Sequence, residues 1–132
     1  LGILRSVDRT GSHYTVTITP TYTACPAMGF IEDEIKNKMA GIGINDVEVK
    51  TTYTPAWTTD WISDNAKQKL KTYGIAPPMH TSCNKYFSSQ RTICPHCGSS
   101  DTELISRFGS TACKSLLKCN NCKEPFEQFK CH

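Results

Sequence analysis

Eight cysteines in 132 residues dominate the chemistry open to this chain, and four of them stand in two CxxC pairs. The pairs are Cys94-Pro95-His96-Cys97 and Cys119-Asn120-Asn121-Cys122. Each CxxC knuckle can place two thiolates on one ion, and two knuckles complete a tetrahedral four-sulfur shell. Zinc suits that shell, with iron as its chemical competitor. An iron–sulfur cluster is a rival occupant, since four thiolates serve both. The 21 residues between the pairs fit two short strands running out and back. Two disulfides would use the same cysteines, but they need an oxidising compartment. No export signal is visible, so a cytoplasmic setting is expected.

The remaining candidates are scattered. Cys25 precedes Pro26, a residue well suited to the first position of a helix, which makes Cys25 the N-cap or its neighbour. Unpaired N–H groups and the helix dipole there would favour a reactive thiolate; the alternative is a small buried residue that merely caps the helix. Cys113 and Cys131 lie outside the knuckles. They read as spectators, a redox pair, or ligands of a second metal with His132, Cys83 or His80; Cys83 and His80 themselves read as spectators. His96 sits inside the first knuckle, where Cys97 is the better ligand. Trp57 and Trp61 are four apart in a polar loop. They would cover the sheet edge and the second helix, or anchor a protein partner. There is no Ser/His/Asp series, no glycine-rich phosphate loop and no paired carboxylates at useful spacing. A self-contained enzyme is not expected.

The elements that must position these residues are short. Residues 1–7 read as a strand and 8–12 as a turn. Tyr14, Val16 and Ile18 alternate with threonines as a half-buried second strand. Met28, Ile31, Ile35 and Met39 recur at helical spacing, and Gly41 follows as a stop. Val47, Val49, Thr51 and Tyr53 then alternate as a third strand. A strand–helix–strand crossover places that strand parallel to the second. Ser63 is a good N-cap for a second helix, which Gly74 ends. Residues 102–108 and 114–118 read as the ribbon's two strands, with Phe126 and Phe129 as apolar cover. The expected class is α+β: a small two-layer mixed sheet with helices on one face, then a metal-stabilised zinc-ribbon β module. The expected domains are 1–78 and 92–132, joined by a linker over 79–91. The last 41 residues are too few for a hydrophobic core, so a metal is the expected substitute.

Charge narrows the partners. Residues 1–78 carry eight Lys/Arg and eight Asp/Glu, whereas 79–132 carry seven against four and supply the net +3. Asp101, Glu103, Glu124 and Glu127 interrupt that excess, so no basic stripe forms to track a phosphate backbone, and a nucleic-acid role is not expected. No apolar run is long enough to cross a membrane. Oligomeric state is left open.

Taken together, Leu1-Gly2-Ile3, the segment 21–26 with its Cys-Pro, and Trp57-Thr58-Thr59-Asp60-Trp61 resemble the domain shared by SufT and the eukaryotic cytosolic iron–sulfur targeting factors. Gly74-Ile75-Ala76-Pro77-Pro78, both knuckles, Phe108-Gly109-Ser110-Thr111-Ala112-Cys113-Lys114 and Phe129-Lys130-Cys131 narrow the resemblance to the PaaD (PaaJ) family. Members of that family are encoded with the bacterial phenylacetyl-CoA epoxidase, a diiron oxygenase with a structural partner and a flavin/iron–sulfur reductase. The resemblance implies an accessory factor that assembles or maintains the iron or iron–sulfur centres of that system. It matches Cys25 to a reactive cysteine that would hold iron or a cluster transiently, and Cys94, Cys97, Cys119 and Cys122 to structural zinc ligands. It also matches Cys113 and Cys131 to further family cysteines, and it implies the oxygenase or reductase subunits as partners. Family members carry a further N-terminal stretch before the Leu-Gly-Ile strand, at which this sequence begins. A docking subunit without metal transfer, an iron–sulfur electron carrier using the C-terminal cysteines, and a thiol oxidoreductase are the competing readings.

Overall fold

The computed structural model describes residues 1–78 and 92–131. The segment 79–91, with His80, Cys83 and the expected linker, and His132 lie outside the described residues. The described chain forms two compact units divided between Trp57 and Thr58.

The first unit runs from Gly2 to Trp57 and holds β1 (Leu4–Thr10), β2 (His13–Ile18), α1 (Met28–Gly41) and β3 (Val47–Thr51). β1 pairs antiparallel with β2, and β2 pairs parallel with β3, setting Val16 beside Val49 and Ile18 beside Thr51. The alternation in β2 decides which side is inside: Val16 and Ile18 are buried, while Tyr14, Thr15 and Thr17 are only partly covered. The apolar stripe of α1 is half-buried at Met28, Ile31, Ile35 and Met39, and the helix has no fully buried residue. An open apolar groove of about 350 Å³ runs beside it, lined by Leu4, Val7, Val16, Phe30, Ile31 and Ile35 among others.

The second unit begins with a short turn of 3₁₀ helix (Thr59–Trp61) and α2 (Asp64–Thr72). The Ser63 hydroxyl accepts the Ala66 N–H at 3.2 Å, the cap its sequence position foretells. Gly74 closes the helix at φ +76°, a backbone conformation that glycine adopts without a Cβ penalty. Then come β4 (Ile75–Ala76), β5 (Thr102–Ser106), β6 (Lys114–Cys119) and β7 (Pro125–Phe129) in the order β4-β7-β6-β5. Only the β4–β7 pairing is parallel.

The α+β class and the ribbon are as expected, with two small mixed sheets. The ribbon sheet carries two more strands, β4 and β7, than its alternation announced. Phe126 and Phe129 are the inward residues of β7. α2 belongs to the ribbon unit, because β4 directly after it adds to the ribbon sheet along β7. The first sheet's unit therefore holds one helix.

Candidate metal centre

The two knuckles converge. Cys94 precedes β5 and accepts the Gly98 N–H on its carbonyl at 2.9 Å, closing the first tight loop. Cys119 ends β6, and its N–H donates to Glu124 across the second loop at 3.0 Å. Pairing of β5 with β6 sets Thr102 beside Cys119, which brings the loops together. The sulfur atoms of Cys94, Cys97, Cys119 and Cys122 all lie within 4.8 Å of one another. Cys94 Sγ is 3.8 Å from Cys122 Sγ, and Cys97 Sγ is 3.5 Å from Cys119 Sγ.

These distances test the donor set for a metal. A tetrahedron built on Zn–S bonds of about 2.3 Å has S···S edges of about 3.8 Å, so the sulfurs stand near ligand spacing. Their electrostatics agree. The Ser99 backbone N–H and the Asn121 amide hold the Cys97 thiol down at about 6. At Cys122 the Glu124 backbone N–H is outweighed by desolvation and the neighbouring cysteines, which push that thiol up to about 12. Crowded sulfurs resist joint ionisation until a cation neutralises them. The Asn121 side chain reaches Cys97 Sγ at 3.7 Å, and the Cys122 N–H reaches Cys119 Sγ at 3.5 Å. Such outer contacts orient metal thiolates. Zinc held here would staple the ribbon through four Zn–S bonds.

The other candidates fall elsewhere. Cys25 is a free, half-buried thiol in the loop between β2 and α1. It is not the N-cap: Ala27 holds that position without a side-chain bond. Cys25 lies in the preceding turn, where its carbonyl accepts the Met28 N–H at 3.4 Å. Pro26 thus precedes the helix rather than opening it. Trp57 is buried at 5% exposure and has little surface to offer a partner, while Trp61 is half-buried. Cys113 is buried, with Thr111 Oγ1 at 3.1 Å from its sulfur. Cys131 lies 3.7 Å from Thr59 Oγ1. Among the described residues, neither joins a second group with metal-ligand spacing.

Comparison with known proteins fits this geometry. Residues 79–130 match the PaaD zinc beta ribbon domain. An Escherichia coli (strain K12) protein, provisionally named as one of the subunits of 1,2-phenylacetyl-CoA epoxidase, is 44% identical over 131 residues, covering 99% of this chain and 79% of that protein. The chain belongs to the PaaD family. A second relative, an Fe-S protein maturation auxiliary factor of Porphyromonas gingivalis, is 36% identical over 73 residues, covering 53% of this PaaD-family chain and 69% of its own. The crystal structure of a domain of unknown function, DUF59, from Bacillus anthracis aligns with a TM-score of 0.50 at 27% identity. It covers 53% of this chain and 69% of its own. No helix among the described residues is long and apolar enough to cross a membrane.

Two features of this PaaD-family ribbon escaped sequence reasoning. His96 lies against Gly74, so close that a Cβ there would stand 3.1 Å from the imidazole Cε1. Glu127 on β7 holds the loop between β5 and β6. It accepts the Ser110 N–H at 2.5 Å and pairs with Lys114, which also donates to Ser110 Oγ at 2.7 Å. That loop carries Cys113. The visible signal was the unbroken run Gly109-Ser110-Thr111 beside Lys114; what it lacked was the distant carboxylate.

Proposed function

We propose that this chain is an accessory maturation factor for the multicomponent phenylacetyl-CoA epoxidase. It assembles or maintains the iron or iron–sulfur centres of that oxygenase system in the cytoplasm and performs no epoxidation itself. Cys25 holds iron or a cluster transiently. The four-cysteine ribbon holds zinc and serves as scaffold and docking module for the oxygenase or reductase subunits, with Trp61 at the contact. Two kinds of relative support the reading: one named as an epoxidase subunit and one named for Fe-S protein maturation. The single observation that carries it on this chain is a free, partly exposed thiol at Cys25, separate from the ribbon ligands.

The test is co-expression of the epoxidase subunits with wild-type or Cys25→Ser chain. Iron and acid-labile sulfide are then measured in the purified oxygenase and reductase. The expected result is a several-fold loss of metal in the partner while the variant keeps its fold and its zinc. A docking subunit without metal transfer is the second reading. Leu104, Ile105 and Phe108, exposed on and after the outermost ribbon strand, favour it. Under that reading Cys25→Ser leaves the partner's iron unchanged, and Phe108→Ala weakens co-purification.

A further inference from the structure

We propose that the metal at the four knuckle cysteines controls the folding of residues 58–76 as well as the ribbon, so that α2 and β4 order and disorder with metal occupancy while the first unit does not. The inference rests on the ribbon holding a metal. It extends that role to a segment outside the knuckles.

Three observations carry it. The buried cluster of this unit consists of Ala76, Cys94, Leu117, Cys119 and Phe126, with Cys122 packed against it. Half of those residues are knuckle cysteines, so the ligand shell forms part of the unit's core. Without a bound ion nothing bridges the four sulfurs, and the cluster loses the bonds that hold it closed. Ala76, in β4, belongs to that cluster.

β4 is a two-residue strand, paired only with β7 at Ile75↔Glu127 and Ala76↔Gln128. β7 follows the second knuckle, whose loop is closed by the Cys119–Glu124 hydrogen bond. A pairing this short persists only while its neighbour is fixed.

α2 has nine residues and none of them is buried. Helices shorter than about 12–15 residues are marginal in water on their own. Two of its supports are β4 and the end at Gly74, against which His96 of the first knuckle packs, beside the buried Thr59 and Ile62 that precede the helix. Metal loss therefore removes support from both. The first unit has its own buried residues at Val16 and Ile18 and its own sheet.

Hydrogen–deuterium exchange on the full chain, zinc-loaded and then treated with a strong zinc chelator, tests this, with zinc quantified in each sample. The expected result is joint loss of protection over 58–76 and 92–130, retention over 4–51, and recovery of both on adding zinc. Cys119→Ser should show the same pattern without chelator. Protection retained over 58–76 while 92–130 loses it overturns the proposal but leaves the metal reading standing. Loss across 4–51 as well overturns it by showing one cooperative body. A chain that takes up no zinc overturns both, and the zinc measurement identifies that case.

Discussion

Two glycines in the ribbon unit form a matched pair that separates backbone strain from side-chain contact. Gly74 and Gly98 both have φ +76°. An L-residue in that region costs about 1–2 kcal/mol, partly offset by the lower chain entropy of alanine in the unfolded state. At Gly98 a Cβ would meet nothing within 4 Å, so Gly98→Ala carries the backbone cost alone. At Gly74 a Cβ would stand 3.1 Å from His96 Cε1 and 3.6 Å from Nε2. His96 is exposed and can turn, so the added cost is that of an imidazole pushed off its rotamer, below about 1.5 kcal/mol.

In thermal unfolding of zinc-saturated protein, each kcal/mol corresponds to about 4–8 °C for a domain of this size. Both variants should melt several degrees below the wild type, with Gly74→Ala lower than Gly98→Ala. Adding His96→Ala should erase the difference between them. Asparagine at position 98, which tolerates the left-handed region, should cost less than alanine. If both alanine variants melt with the wild type, neither turn needs its positive φ. If the excess at position 74 survives His96→Ala, the contact with the first knuckle is not its cause.

Glu127→Gln should destabilise the ribbon by about 1.5–3 kcal/mol in denaturant unfolding, because it leaves the largely buried Lys114 ammonium without its anion. Burial raises the Glu127 carboxyl, but Lys114 and Ser110 hold it below the usual carboxylate range. Its stabilisation is therefore present above the ordinary glutamate value and lost as pH falls through the lower folded value, so the variant should flatten the acid limb of the stability profile. His13 titrates above the ordinary histidine value because Asp46, bonded to Nδ1 at 2.8 Å, and then Glu48 favour its charged form. Its contribution is complete below the ordinary value and fades as pH rises through the folded one. Proton NMR should show the raised midpoint falling in Asp46→Asn. Ile18, 1% exposed, should cost about 2–5 kcal/mol when truncated to alanine, read as a lower denaturant midpoint with zinc content unchanged.

What the sequence disclosed was written in local period and spacing. The alternation at Tyr14, Val16 and Ile18 specifies β2, and the crossover rule then sets β3 parallel to it. The helical spacing from Met28 to Met39 specifies α1 and its inward stripe. Two CxxC pairs specify the sulfur cluster, because tetrahedral coordination demands little beyond two tight loops brought together. The start of α1 was less legible. Cys-Pro is a good helix opening, yet Tyr22 accepts the Cys25 N–H and the chain completes a turn before Ala27 caps the helix. The burial of tryptophan at position 57 is likewise set by the fold, which spacing does not encode.

The illegible strands share one physical cause. In β7 the buried residues are Phe126 and Phe129, three apart, so the strand shows no period of two. In β4 two residues between Gly74 and Pro77 offer no period at all. Each exists because a partner strand accepts its backbone: the neighbouring β6 for β7, and the distant β7 for β4. Pro77-Pro78 reads as a domain boundary, since proline stops a helix and resists a central strand. Yet Ile75 and Ala76 reach the ribbon sheet before those prolines begin. Proline at the end of an edge strand blocks extension of the ladder, not the pairing that precedes it. A two-residue strand can therefore bind α2 into the ribbon unit while the local sequence still reads as a place where the chain lets go.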